Sequence, residues 1–187
     1  MNLRKEVSAE LVRRGFRRNG RTHLLRVSGD FSLGVDTGPI GTRTDIAPLV
    51  GIRNDLIEGL LGKCLDVPAD EWVFTVAANV GYVLGDRHLA WQPPAEPQEV
   101  VEKISAALDE LRKYLSLQRL TEAWKLRGTQ DPSWRYRNVI VFGLRNQRGQ
   151  ALALLDEVRD ERCQAEDPGC EEFRGFEKRF REWMSTR

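Results

Sequence analysis

The chain has 187 residues, with 29 Lys and Arg against 28 Asp and Glu, a formal net charge of +1. Hydrophobic residues make up 41% and charged residues 30%, which excludes wholesale disorder, a collagen repeat and a disulfide scaffold and fits a soluble globular protein. The near-zero balance gives no global reason to expect nucleic acid or a membrane surface as partner.

No apolar run approaches the roughly 20 residues needed to cross a bilayer, and the start, Met1 to Phe16, is too charged to hold a secretory h-region. The expectation is a cytoplasmic protein. Its three cysteines, Cys64, Cys163 and Cys170, are then read as free thiols. Charge is uneven along the chain. Residues 1–30 carry eight Lys/Arg and three Asp/Glu, whereas residues 151–187 carry seven and ten.

In chain order, Leu3, Val7 and Leu11 recur every four residues and predict a helix over Leu3–Arg14. Gly15 is placed to end it in the left-handed conformation, with Phe16 folding back. Thr22–Ser28 and Phe31–Asp36 read as strands joined by a Ser28-Gly29-Asp30 turn, and Leu49–Arg53 as a third. Asn54 or Asp55 caps a short helix with Leu56, Ile57, Leu60, Leu61, Cys64 and Leu65 on one face. Gly59 and Gly62 in it imply close packing against the sheet. Trp72–Leu84 alternates with both faces apolar and predicts a central strand. Gly85-Asp86 then turns it into a return strand, Arg87–Trp91.

Pro93 to Pro97 is a stiff break. It divides an α+β sheet domain, residues 1–92, from a helical part, residues 98–187, packed on it as one compact unit. Val100 to Leu115 gives a long amphipathic helix, and Leu117 to Trp124 a second. Asp131-Pro132 starts a third. Ala151 to Val158 and Phe173 to Trp183 carry the last two. The expected fold is α+β: a mostly antiparallel sheet of four to five strands packed by helices, with a C-terminal helical bundle.

Chemistry is sparse. The two histidines, His23 and His88, lie at no metal-ligand spacing. Both read as strand histidines, exposed or hydrogen-bonded, with His88 presented beside Arg87 and Trp91. Cys163 and Cys170 match neither CxxC nor a zinc-finger spacing, and they read as free thiols, with a redox pair as the alternative if the Asp-Pro-Gly turn between them brings them together. Gly34 to Gly41 lacks the phosphate-loop order, and Gly62-Lys63 precedes Cys64, not Ser or Thr. Asp66, Asp70 and Glu71 read as a solvated loop. Neither GxSxG nor HExxH occurs. No catalytic residue, metal or cofactor is therefore assigned.

The sharpest local feature is basic: Arg13, Arg14, Arg17, Arg18 and Arg21 around Gly15 and Gly20. Guanidinium groups suit phosphate or carboxylate clamps. Trp91, Trp124 and Trp134 lie near the proposed boundaries, with Arg135-Tyr136-Arg137 following, and such residues are enriched in interface hot spots.

Gly15-Phe16-Arg17-Arg18-Asn19-Gly20-Arg21-Thr22, followed by Leu49-Val50-Gly51-Ile52-Arg53-Asn54 before a short helix, resembles a bacterial family known only as a domain of unknown function, DUF4304. His23 stands where that pattern has an aromatic residue. The resemblance spans roughly residues 8–125 and carries no catalytic residues. Similar small bacterial proteins include immunity proteins that sit beside toxins.

The resulting expectation is a non-enzymatic protein-binding module that neutralises a cognate toxin by occlusion. Its partner surface is assigned to Arg13, Arg14, Arg17, Arg18, Arg21, His88, Trp91, Trp134 and Tyr136. One alternative is a nucleic-acid-binding regulator using residues 13–21. Another is an unrecognised hydrolase or transferase.

Overall fold

The computed structural model describes residues 2–38, 46–70, 73–86, 89–92, 94–123, 133–164 and 169–186. The expectations for Trp72, Arg87, His88, Trp124 and the Asp131-Pro132 helix start lie outside them. The fold is α+β, with a five-stranded antiparallel sheet and a C-terminal helical region. Its residues gather into two compact units, 1–54 with 76–129 and 55–75 with 130–187. The chain passes between the units at Asn54–Asp55, at Thr75–Val76 and after residue 129.

The first unit opens with helix α1, Leu3–Arg13, whose Leu3, Val7 and Leu11 are buried. Asn2 caps it, its side chain accepting from the Lys5 N–H at 3.2 Å. Gly15 then takes φ +92°, a conformation only glycine adopts cheaply, and the Phe16 N–H returns to the Leu11 carbonyl at 3.1 Å.

Strands β1 (Arg17–Asn19), β2 (Thr22–Ser28), β3 (Phe31–Asp36), β4 (Leu49–Asn54) and β5 (Val76–Asn79) pair in that spatial order, all antiparallel. The register places His23 opposite Val35, Val35 opposite Val50 and Val50 opposite Ala78. Leu33, Ile52 and Val76 share that face, and His23, Leu33, Val35, Val50 and Ile52 are fully buried. Alternation on the pleat thus builds one layer of the core.

The expected central strand 72–84 is corrected by the structure. Only Val76–Asn79 is extended, and it lies at the sheet edge. Asn79 accepts the Gly81 N–H through Oδ1 at 2.8 Å, a cap that launches helix α3, Val80–Leu84. A Cβ at Gly81 would sit 2.0 Å from the Asp86 carbonyl oxygen, so this turn needs glycine. Gly85 ends α3 as a left-handed cap. Of the expected return strand Arg87–Trp91, residues 87 and 88 lie outside the described residues, and Trp91 makes an isolated bridge to Ile46. Helix α4, Pro97–Arg112, buries Val100, Val101, Ile104, Ala107, Leu108 and Leu111 and packs on α1, α3, β3 and β4. Helix α5, Leu117–Ala123, buries Leu120.

The second unit is helical: α2 (Asp55–Leu65), α6 (Ser133–Leu144), α7 (Arg148–Gln164) and α8 (Gly169–Ser185). Helix α2 packs with α6 and α8. Gly62 approaches its own following loop, where a Cβ would lie 2.8 Å from the Val67 carbonyl oxygen, while Gly59 has open space. This replaces the close approach to the sheet expected of both.

Phe173, Phe176 and Phe180 of α8 are fully buried, and Tyr136 stacks on Phe176 with centroids 4.5 Å apart. Inside this apolar unit, Arg137 clasps Glu58 by two hydrogen bonds of 2.9 and 2.8 Å, the side chains 3% and 0% exposed. Cys163 and Cys170 are joined, their Cα atoms 5.0 Å apart. The free-thiol expectation fails here because the paired helices α7 and α8 bring residues seven apart within disulfide reach. Cys64 alone is unpaired and buried. No helix among the described residues is long and apolar enough to cross a membrane.

Candidate anion-binding site

A cleft of about 510 Å³ opens in the first unit, lined by Arg4, Lys5, Ser8, Arg18, Gly20, Arg21, His23 and Thr37. Helical spacing brings Arg4 and Ser8, one turn apart on α1, onto one face. The β1–β2 register sets Arg18 directly opposite His23. Thr37 follows β3 and donates its hydroxyl to the Arg21 carbonyl at 3.3 Å. The cleft thus draws on four separate stretches of chain.

Its floor is polar and buried. Ser8 Oγ and His23 Nε2 lie 2.7 Å apart, with Ser8 7% and His23 0% exposed. Burial holds the His23 imidazole below its ordinary range, and the Arg18 charge adds to this. The Val35 and Arg21 carbonyls and the Asp36 carboxylate oppose the shift without cancelling it. The ring is therefore neutral at pH 7. Arg4 Nε is buried with no hydrogen-bond partner.

The rim is cationic. Arg21 pairs with Asp36 at 3.0 Å, and the other Asp36 oxygen accepts the Gly38 N–H at 2.7 Å. Asp36 is thereby committed and does not orient His23. Arg18 Nε donates to the Gly20 carbonyl at 2.8 Å. Among the described residues, Arg4, Lys5, Arg17 and Arg18 have no carboxylate partner. Three of these four line the cleft, so its positive charge is largely uncompensated.

Of the residues assigned from sequence, the cleft gathers Arg18 and Arg21. Arg17 is exposed on β1, the edge strand. Arg13 pairs with Glu10, and Arg14 reaches both Glu10, at 3.2 Å, and the Ser105 hydroxyl, at 3.0 Å. Trp91 is only 4% exposed and donates its indole N–H to Glu99 at 3.2 Å. Tyr136 is 3% exposed within its aromatic stack. Burial removes both as surface anchors, which corrects that part of the assignment. Trp134 is half-buried, with the Arg135 guanidinium 5.5 Å from its ring centroid. His88 lies outside the described residues.

Sequence reading missed Arg4, Lys5, Ser8 and the buried role of His23. Their signal is a polar helical stripe, Arg4, Lys5 and Ser8, beside the apolar one. A second cleft, of about 470 Å³ in the second unit, is lined by Gly143, Leu144, Asn146, Arg148, Trp183 and Met184. It offers one cation and no converging charge. No group of three or more His, Cys, Asp or Glu among the described residues is placed to hold a metal ion.

No protein-family model, curated protein or solved structure matches the chain.

Proposed function

We propose that the protein is a non-enzymatic binding module that engages an acidic protein partner through the basic face of its first unit, in the manner of an immunity protein occluding a toxin. One observation carries this reading: Arg4, Lys5, Arg17 and Arg18 lack carboxylate partners among the described residues, although most other cations of α1 and the hairpin have one. Unneutralised cations raise association rates with an acidic surface and disfavour like-charged partners. The Ser8–His23 pair resembles half of a nucleophile–base arrangement, but no carboxylate orients the ring. Binding is therefore the better reading than catalysis.

The test is native purification with chemical cross-linking, beside the same procedure on the Arg17→Glu/Arg18→Glu variant. The expected result is an acidic protein in equimolar amount, released at raised salt and absent from the variant. Co-expression with that partner, if it is toxic, should restore growth. A chain that purifies alone, or with nuclease-sensitive nucleic acid, would overturn the reading.

A further inference from the structure

We infer that the cleft is a binding site for a small phosphomonoester, with the phosphate seated among Arg4, Lys5 and Arg18 above the Ser8–His23 floor. This goes beyond the partner reading and stands whether or not an acidic protein binds the same face.

Three observations lead to it. First, the charge is in excess. Arg21 is neutralised by Asp36, but the three other cations lining the cleft have no carboxylate partner among the described residues. A carboxylate brings one negative charge, whereas a phosphomonoester brings close to two at pH 7 with three acceptor oxygens. Guanidinium forks match that geometry.

Second, Arg4 Nε is a buried donor without a partner on a residue that lines the cleft. Buried polar groups are almost always satisfied, so such atoms point to a missing ion or water. A phosphate oxygen is an acceptor of the kind Arg4 requires. The Ser8 hydroxyl and the neutral His23 ring add polarity to the floor without adding charge.

Third, the volume of about 510 Å³ exceeds what one phosphate fills and lies within the range of small-molecule sites. There is room for the body of a ligand. A polynucleotide would instead be read by a row of cations along its backbone, and Arg17, the remaining arginine of the basic run without a carboxylate partner among the described residues, does not line the cleft.

The experiment is calorimetric titration of the full chain at low ionic strength with inorganic phosphate, phenyl phosphate and acetate, and with an oligonucleotide lacking a terminal phosphate. Phosphate and phenyl phosphate should saturate one site, at least about tenfold tighter than acetate. Arg4→Gln and Arg18→Gln, each checked for an unchanged circular dichroism spectrum, should each weaken phosphate about tenfold or more. Arg17→Gln should change it by less than about twofold, although it weakens any acidic partner bound to the outer face. Two variants guard against one misfolding.

Absent saturation, or equal losses in Arg17→Gln and Arg4→Gln, would overturn the proposal. Acetate binding as tightly as phosphate would replace the ligand class with a carboxylate. Tighter binding of the oligonucleotide would reassign the cleft to nucleic acid. A lost partner with phosphate binding intact would instead defeat only the protein-partner reading.

Discussion

The two units treat charge differently. The helical unit pairs many of its arginines with its own carboxylates. Arg137 is buried against Glu58, Arg159 and Arg181 share Glu177 and Asp156, Arg135 meets Glu161, and Arg179 meets Asp66. The sheet unit leaves Arg4, Lys5, Arg17 and Arg18 without carboxylates among the described residues and gathers three of them round a cleft. The buried Arg137–Glu58 pair holds structure. Charge that is left open at a hairpin is available to a ligand. A single overall figure of +1 conceals this division.

The largest effect should come from the buried pair. Glu58→Ala leaves the Arg137 guanidinium uncompensated and should cost about 3–5 kcal/mol by denaturant unfolding, while Glu58→Leu/Arg137→Met recovers most of it. If Glu58→Ala costs no more than an exposed ion pair, the helical unit does not depend on internal pairing.

Next comes the disulfide. It closes a short loop between α7 and α8, and Cys170→Ser should cost about 2 kcal/mol, read by thermal melting with and without reductant. Cys64 should stay unlabelled by a thiol reagent in the native protein, because burial pushes its pKa up to about 11 even against the Arg179 charge.

In the sheet unit, Ser8→Ala removes the partner of His23 Nε2 and should cost about 1–3 kcal/mol. His23 also gives this unit a pH signature. Its folded pKa is lowered, so the unfolded chain takes up the proton first as pH falls. Stability is fully present above the unfolded value near 6.5 and declines as pH drops through the folded value. Unfolding free energies measured from pH 7.5 to 5 should fall less steeply in His23→Gln. Identical slopes would mean that burial does not hold the His23 ring below its ordinary range.

Much of the fold was legible. Phe31, Leu33 and Val35 alternate cleanly, and Leu3, Val7 and Leu11 mark one helical face. Both readings work because apolar side chains recur on one face with polar or small residues on the other, although Ser32, Gly34 and Asp36 are themselves buried. Residues 72–84 misled because both faces are apolar, so alternation alone does not separate strand from helix. The missed clue was Asn79, a capping residue two before Gly81. Strand β1 was invisible because Arg17-Arg18-Asn19 has no apolar alternation and is extended only through pairing with β2. The cleft was half legible. Arg18 and Arg21 stand out as a basic run, but Arg4, Lys5 and Ser8 join them only once the hairpin folds beside α1. The disulfide was legible only as the lesser alternative for a similar reason, since a spacing of seven acquires meaning only when two helices pair.

The most direct test of the division between units is binding of a poly-glutamate peptide at low salt to three forms of the full chain. These are the native sequence, Arg17→Glu/Arg18→Glu in the sheet unit, and Arg174→Glu/Lys178→Glu on exposed positions of α8. Both reversals should leave stability within about 0.5 kcal/mol of the native value. Only the first should abolish binding, by about tenfold or more. Equal loss in both variants, or no binding by the native chain, would contradict the account.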